Sequence, residues 1–165
     1  CINALPSFSM QTEDVAMALQ ANGTLWDLTE SIERRDREQA VELWLVLLQR
    51  LRDVAQVPQA NMAECALANL FQVLLQYHLS FRAEDWIRVL SDVLLPLVEG
   101  EHAPARAFHG TARVVAMVPA LRTDPAWPAM WARWLHAMEE TVAREPSDDV
   151  MRVMLEALHL SLIHI

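Results

Sequence analysis

The chain has 165 residues, of which 53% are hydrophobic, and its 13 basic and 22 acidic residues give a formal net charge of −9. This acidity argues against sequence-independent binding of nucleic acid, because phosphate contacts require clustered cations. The composition includes only three glycines, which favours helices over sheets joined by tight turns. All 13 basic residues are arginine, which we interpret as a coding bias and not as an arginine-based site.

The two cysteines and the chain ends bear on the compartment. Cys1 and Cys65 are too few for a disulfide framework, so a reducing, cytosolic setting is predicted. Cys65 falls within a helical pattern and is expected in the core. No apolar run is long enough to predict a membrane span, and no signal-peptide pattern opens the chain. We expect a single helical-repeat region over residues 1–160, internal to a longer protein, followed by residues 161–165, which resemble translated sequencing-adapter read-through.

Apolar residues recur at helical spacing in seven stretches along the chain. The first predicted helix runs from about Thr12 to Ile32. A charged turn over residues 33–38 leads into the second, from about Asp36 to Gln56. One broad apolar face of the second helix is formed by Val41, Trp44, Leu45, Leu48 and Leu51.

The third and fourth predicted helices are delimited by capping residues. The third starts at Asn61, which together with Glu64 resembles a capping box, and runs to about Leu79. The fourth ends at Gly100, and Pro96 is expected to kink or shorten its last turn. Residues available for burial in these two helices are Cys65, Ala68, Leu70, Phe71, Leu74, Leu75, His78, Trp86, Ile87, Leu90, Val93, Leu94 and Leu97.

Three further helices are predicted after a loop over residues 101–106. The fifth spans about Ala105 to Leu121. The sixth starts at Asp124, as the N-cap, followed by a proline at the first helical position, and the seventh starts at Ser147. The side chains expected to point inward are Phe108, Ala112, Val115, Met117, Trp127, Met130, Trp131, Trp134, Leu135, Met138, Val150, Met151, Met154, Leu155 and Leu158.

The spacing of tryptophans indicates a repeat. Trp44 and Trp86 are 42 residues apart, and Trp86 and Trp134 are 48 apart. Both separations are near the HEAT/armadillo period of about 40–47 residues. The sequence therefore predicts an all-α, HEAT/armadillo-like α-solenoid fragment of about seven helices, and a closed helical bundle is the alternative. The tryptophans expected to form the core between repeats are Trp44, Trp86, Trp127, Trp131 and Trp134, which places a binding surface elsewhere; a peptide groove lined by tryptophans is the other interpretation.

Reactive side chains do not form a recognisable motif. His102 and His109 are two helical turns apart, but no cysteine joins them and no His-x-x-x-His pair exists, so a metal site is not expected. The adjacent carboxylates at positions 139–140 and 148–149 would point about 100° apart on a helix and do not converge as an acid–base pair. Neither a phosphate-binding glycine loop nor a nucleophile elbow is present. We predict no catalytic, cofactor-binding or metal-binding residues and no enzymatic activity.

Four segments carry a family resemblance. Gly23-Thr24-Leu25-Trp26-Asp27 is similar to a "Gly-Leu-Leu-Trp-Asn" helix, although Thr24 follows the glycine and Asp27 stands where Asn is usual. Leu43-Trp44 with Leu47 and Leu51 resembles its "Leu-Trp…Leu…Leu" helix. Residues 61–71 are like a "Val-Arg…Ala…Thr-Leu-Phe" helix without the usual Arg. Trp86 with Val93-Leu94-Leu95-Pro96-Leu97 resembles "Trp…Val-Leu-Phe-Pro-Leu-Leu". Over residues 2–158 the chain thus resembles the C-terminal region of the large Golgi ADP-ribosylation-factor (Arf) guanine-nucleotide exchange factors and the related Mon-Two proteins.

This resemblance implies a cytoplasmic protein recruited peripherally to Golgi and endosomal membranes for vesicle traffic. In the family, exchange activity resides in a separate Sec-Seven domain, which nothing in this chain resembles. The implied function is a non-catalytic scaffold whose helical repeats mediate recruitment, dimerisation and regulation. The implied partners are proteins, among them small GTPases or a second copy of the chain, and not nucleic acid or a small-molecule substrate. A solenoid adaptor in nuclear transport or RNA processing, and a closed helical ligand-binding bundle, are the alternatives.

Overall fold

A computed structural model describes residues 26–57, 60–100 and 105–162 of the chain. Within these ranges the backbone is helical apart from short connections and contains no strand, which confirms the predicted all-α class. The predicted helical segment from Thr12 to Leu25 lies outside the described residues. The chain divides into two compact units, Cys1–Trp44 and Leu45–Ile165.

The described part of the first unit contains helix α1, over residues 26–33, and the start of helix α2, which spans Arg37–Ala55 and includes the boundary between the units. The connection at residues 34–36 confirms the charged turn. The Thr29 hydroxyl donates to the Trp26 carbonyl oxygen at 2.8 Å. The bounds of α2 differ from the predicted ones by a single residue at each end, because its apolar periodicity is strong and polar residues flank it.

The second unit contains the remaining helices, and its core lies along their apolar faces. These elements are α3 (Ala60–Gln76), a 3-10 turn (His78–Ser80), α4 (Ala83–Val89), a π-helical turn (Leu90–Leu94), α5 (Leu95–Glu99), α6 (Ala105–Met117), a second 3-10 turn (Pro119–Thr123), α7 (Trp127–Arg144) and α8 (Asp148–Leu162). The largest side chains fully buried in this unit are Phe108, Leu48, Leu70, Leu74, Leu94, Leu95, Leu97, Leu121, Val73, Val89 and Val93.

Helices in this unit pack beside their second neighbours along the chain. Helix α6 packs most extensively on α8 and also contacts α3, while α5 packs against α7. Smaller contacts join α5 to α6 and α7 to α8. Helices α5, α6 and α7 therefore each contact one helix that is adjacent in sequence and one that is two positions away, and α3 and α6 are also second neighbours when α4–α5 is counted as one helix.

Several of the predicted helix ends are wrong, among them that of α3, which ends at Gln76 and not at about Leu79, and proline accounts for another. Helix α6 ends at Met117, not at Leu121, because Pro119 has no N–H and disfavours α-helical geometry in the residue before it. That residue, Val118, leaves the helical region with φ −121° and ψ 74°. Helix α3 begins at Ala60, so Asn61 lies inside its first turn and is not the N-cap.

The starts of α7 and α8 show two uses of a polar side chain before a helix. Asp124 was predicted to cap α7, but its Oδ1 accepts the Ala126 N–H at 2.8 Å in an Asx turn, and the helix begins at Trp127. The predicted start of α8 is confirmed. The Ser147 hydroxyl oxygen accepts the Val150 N–H at 3.2 Å, which is the N-cap to N3 bond.

Several side chains predicted to be inward are exposed. Cys65 is exposed, as is Met117 at 41%. On α8 the buried stripe is Val150, Met154 and Ala157, and a residue one position further along a helix points about 100° away. Other side chains that were predicted to point inward lie outside the buried faces. The further exceptions are Met151 and Leu155 on α8, Leu135 on α7 and Ala68 on α3.

Candidate functional site

The contact between α2 and the α4–α5 helix is built around a proline. The π-helical turn Leu90–Leu94 joins α4 to α5, and the Leu95 N–H donates five residues back to the Leu90 carbonyl. Pro96 has no N–H, and its ring crowds the carbonyl four residues earlier. A π-helical turn widens the backbone at that place. The predicted end of this helix at Gly100 is confirmed, because α5 ends at Glu99 with Gly100 as its C-cap, and the irregularity expected at Pro96 takes the form of the π-helical turn that precedes it.

Two side chains of residues 45–56 donate to backbone carbonyls of that helix. Arg52 Nη1 lies 2.5 Å from the Asp92 carbonyl oxygen, and Gln56 Nε2 lies 3.0 Å from the Pro96 carbonyl oxygen. The Asp92 carbonyl is the acceptor that an N–H at position 96 would serve in an α-helix. The Pro96 carbonyl is one of the last four of α5, which have no partner within the helix. We refer to Arg52, Gln56, Asp92 and Pro96 as the carbonyl clamp.

Neighbouring residues hold the two donors of the carbonyl clamp in place. Arg52 Nε and Nη2 donate to Asp53 Oδ1 at 3.0 and 2.6 Å, which leaves Nη1 for the Asp92 carbonyl. The Gln56 amide lies directly over Gly100, where a Cβ would come within 2.5 Å of Gln56 Nε2. Glycine at position 100 therefore gives the Gln56 side chain the room that it needs to reach its acceptor.

Both bonds of the carbonyl clamp join residues 40 positions apart. The donors are four residues apart, in the last turn of α2 and directly after it, and the acceptors are four residues apart in the α4–α5 helix, so each pair is separated by about one helical turn. Sequence reasoning missed this contact. The available signal was a proline inside a helical pattern. The carbonyl four residues before that proline needs another donor, but the local sequence does not indicate which residue supplies it.

Three of the five expected core tryptophans are buried and two are not. Trp44, Trp86 and Trp134 are 1–3% exposed, as predicted for core residues. Trp127 and Trp131 are only half-buried. The expectation that all five are enclosed is therefore wrong for these two. They lie in the first turns of α7, ahead of the deeply packed Trp134.

The three tryptophans of α7 form a stack. The ring centroids of Trp127 and Trp131 are 5.4 Å apart with an interplanar angle of 23°, and those of Trp131 and Trp134 are 4.6 Å apart at 18°. Trp134 also meets Phe108 of α6 at 6.1 Å with the rings tilted by 57°. The stack thus runs from the interior, where it joins α6 to α7, out to two indoles that retain accessible surface.

A bidentate ion pair joins α5 to α7. Arg133 Nε and Nη2 donate to the two carboxylate oxygens of Glu99, each at 2.7 Å. The hydrogen bond with Glu99 raises the pKa of Arg133, partial burial opposes this, and the charge of the carboxylate adds to it. Because both side chains retain exposure, the pair contributes little stability, but its fork geometry fixes the approach of the two helices.

The titratable groups considered in the sequence are dispersed. His109 is half-buried on α6, and His102 lies outside the described residues. Asp148 and Asp149 are exposed in the first turn of α8, where the helix dipole favours negative charge. Among residues 26–57, 60–100 and 105–162, no group of three histidine, cysteine or carboxylate side chains is placed to hold a metal ion.

The accessible features are therefore surfaces of helices: two indoles of α7 and the outer faces of α2, α3, α6 and α8. No helix in the described part of the chain combines the length and apolar character needed to cross a membrane. Comparisons with protein-family models, with curated proteins and with solved structures each found no match.

Proposed function

We propose that this chain is part of a HEAT/armadillo-like α-solenoid that acts as a non-catalytic protein-binding scaffold. The observation that carries the proposal is the order of helix contacts, in which α5 lies beside α7 while α6 lies beside α3 and α8. Two rows of alternate helices are how paired-helix repeats stack. A closed bundle with short loops joins helices that are adjacent in sequence, so second-neighbour packing favours the stack.

The carbonyl clamp adds a second argument for a repeat. Arg52 and Gln56 each reach a residue 40 positions further along the chain. This separation is within the period of about 40–47 residues typical of HEAT and armadillo repeats. A stack of repeats contacts only its neighbours and leaves long helical faces open, which is why such proteins usually act as binding surfaces.

A role in Golgi and endosome traffic is the more specific part of the proposal. It depends on the resemblance to the C-terminal region of the large Golgi Arf exchange factors and Mon-Two proteins. The segment of closest similarity, Trp86 and residues 93–97, forms the buried side of the α4–α5 helix apart from Pro96, in keeping with a repeat helix. In this proposal the chain belongs to a cytoplasmic protein recruited peripherally to those membranes, and its partners are small GTPases or a second copy.

The trafficking role is tested by the transcript that encodes the chain and by an exchange assay. We expect a long helical protein with a Sec-Seven or Sec-Seven-like region encoded upstream of residue 1; a short complete reading frame would contradict the assignment. We also expect that the purified chain does not accelerate release of a fluorescent GDP analogue from an Arf GTPase. A genuine exchange factor assayed in parallel is the control, and acceleration by this chain would contradict the non-catalytic role.

A further inference from the structure

Helix α6 carries a basic face in an acidic protein. From residue 102 to residue 123 the sequence contains three arginines, two histidines and no acidic residue, although the net charge of the whole chain is −9. Two of those arginines, Arg106 and Arg113, are exposed on α6, and the half-buried His109 lies between them. Helix α6 therefore carries positive charge with no acidic residue of its own to balance it.

The two arginines point in the same direction. They are seven residues apart, which is nearly two helical turns and about 10 Å along the helix axis. The opposite side of α6 is buried and includes Phe108, Ala112 and Val115. Met117, one turn beyond Arg113, is also exposed and extends the stripe with an apolar contact. We refer to Arg106, His109, Arg113 and Met117 as the α6 basic face.

These arginines differ from most others in the described part of the chain by having no ionic partner there. Arginines that form ion pairs include Arg34 with Glu30, Arg50 and Arg52 with Asp53, Arg82 with Glu84, Arg133 with Glu99, and Arg152 with Asp149 and Glu156. Neither Arg106 nor Arg113 makes a hydrogen bond or ion pair with a described side chain. Their guanidinium groups are therefore available to a ligand.

The carboxylates on the helices packed beside α6 do not neutralise its two arginines. On α8, the exposed Asp149 and Glu156 are both engaged by Arg152 of the same helix. On α3, the Phe71 ring lies where a Cβ of Gly110 would be, and the exposed Glu64 makes no ion pair with α6. Asp148 of α8 is also exposed, and no described carboxylate of α3 or α8 forms an ion pair with Arg106 or Arg113.

We propose that the α6 basic face binds an acidic segment of a protein partner; this deepens the scaffold function proposed above and rests on it. Arginine is suited to carboxylates because its planar donors match their two oxygens. An extended peptide advances about 3.3 Å per residue, so carboxylates three residues apart span the distance between Arg106 and Arg113. The exposed Met117 side chain can then contact an apolar residue that flanks the acidic pair.

The test measures binding of a fluorescein-labelled oligoglutamate peptide to the intact chain by anisotropy. R106E/R113E is compared with R35E/R50E, which makes the same change of charge at exposed arginines elsewhere. We expect R106E/R113E to weaken binding at least about tenfold, since two attractive contacts become repulsive, and R35E/R50E to change it much less. Raising ionic strength from about 0.01 to 0.15 M should weaken wild-type binding, because the screening length falls from about 30 to 8 Å.

Three results would overturn the inference. Equal losses in the two double variants would show that only the net charge matters. Undiminished binding by R106E/R113E would place the peptide elsewhere, and tighter binding of polyuridylate than of oligoglutamate would indicate a nucleic-acid surface. If R106E/R113E fails to fold, as judged by circular dichroism, the charge-neutralised variant R106Q/R113Q is used in the binding assay in its place. The transcript and exchange assays do not involve this face, so the trafficking role and the basic face can fail independently.

Discussion

Two contacts between helices in the second unit are made by different means. Where α3 meets α6, Gly110 has no side chain, and the Phe71 ring lies against the helix backbone. Where residues 45–56 meet the α4–α5 helix, Arg52 and Gln56 donate to main-chain oxygens. The α6 backbone is regular, whereas Pro96 deprives α4–α5 of a helical hydrogen bond. At these two contacts, apolar packing joins helices with regular backbones, and side-chain donors serve carbonyls that the proline or the helix end leaves without an N–H.

The largest effect should come from the apolar side of this comparison. Trp134→Ala removes a side chain that is 2% exposed and touches both Phe108 and Trp131. We expect a loss of about 3–5 kcal/mol in the free energy of unfolding, measured by urea denaturation. Trp127→Ala is the matched control because Trp127 is half-buried in the same stack, and it should cost less. Equal losses would mean that the depth of burial along α7 does not determine stability.

The polar contact is tested by Arg52→Met, which leaves the Asp92 carbonyl without its side-chain donor. The expected loss is about 0.5–1.5 kcal/mol in the free energy of unfolding, because the bond is exposed and water can reach the freed carbonyl. Arg50→Met is the control, since its side chain is 80% exposed and its pair with Asp53 is long at 3.8 Å.

A double-mutant cycle sharpens the same test. Pro96→Ala restores an N–H that can bond to the Asp92 carbonyl, so Arg52→Met should cost less in that background. Additive losses would show that the carbonyl clamp does not compensate for the proline.

A smaller effect is expected at the close approach between α3 and α6. Gly110→Ala places a methyl group against the Phe71 ring, and overpacking costs about 1–3 kcal/mol. The higher helix propensity of alanine offsets about 1 kcal/mol of this. A net loss near 1 kcal/mol should appear in thermal or urea unfolding, and Phe71→Leu in the same chain should recover part of it. A more stable Gly110→Ala variant would mean that the contact is loose.

The smallest effect is predicted for the exposed ion pair between α5 and α7. Glu99→Gln should lower the free energy of unfolding by about 0.2–1 kcal/mol, and the difference from wild type should shrink as salt is added. The Asp149–Arg152 pair within α8 provides a reference through Asp149→Asn, because it joins no second helix. A loss of several kcal/mol at Glu99 would show that this polar pair, and not apolar packing, holds α5 to α7.

The sequence predicts the elements of this fold better than the orientation of their side chains. The bounds of α2 and the capping of α8 by Ser147 follow from local periodicity and capping chemistry. The predicted burial of Cys65 and Leu155 is wrong, because the apolar residues of each helix cover a wider sector of its surface than the sector that packing buries. Solenoid stacking is still a prediction, because the sequence pattern of one helix does not specify which other helix it packs against.

The binding features were the least predictable. The carbonyl clamp joins residues 40 positions apart, and the proline alone did not identify Arg52 as the donor. The α6 basic face was obscured by net charge, because the acidity of the whole chain argues against anion binding while a single helix is basic. What a surface attracts depends on its local charge and on which of its charged groups already have partners. Both can be determined only from the folded structure.

The stacked indoles of α7 also give the protein a built-in optical signal. Rings 4.6 Å apart and 18° from parallel are close enough for their electronic transitions to couple. That coupling depends on the angle and distance between Trp131 and Trp134, so near-ultraviolet circular dichroism and tryptophan emission should change as soon as the first turns of α7 move. Occupancy of the neighbouring helical faces could be followed in this way without attaching a dye to the chain.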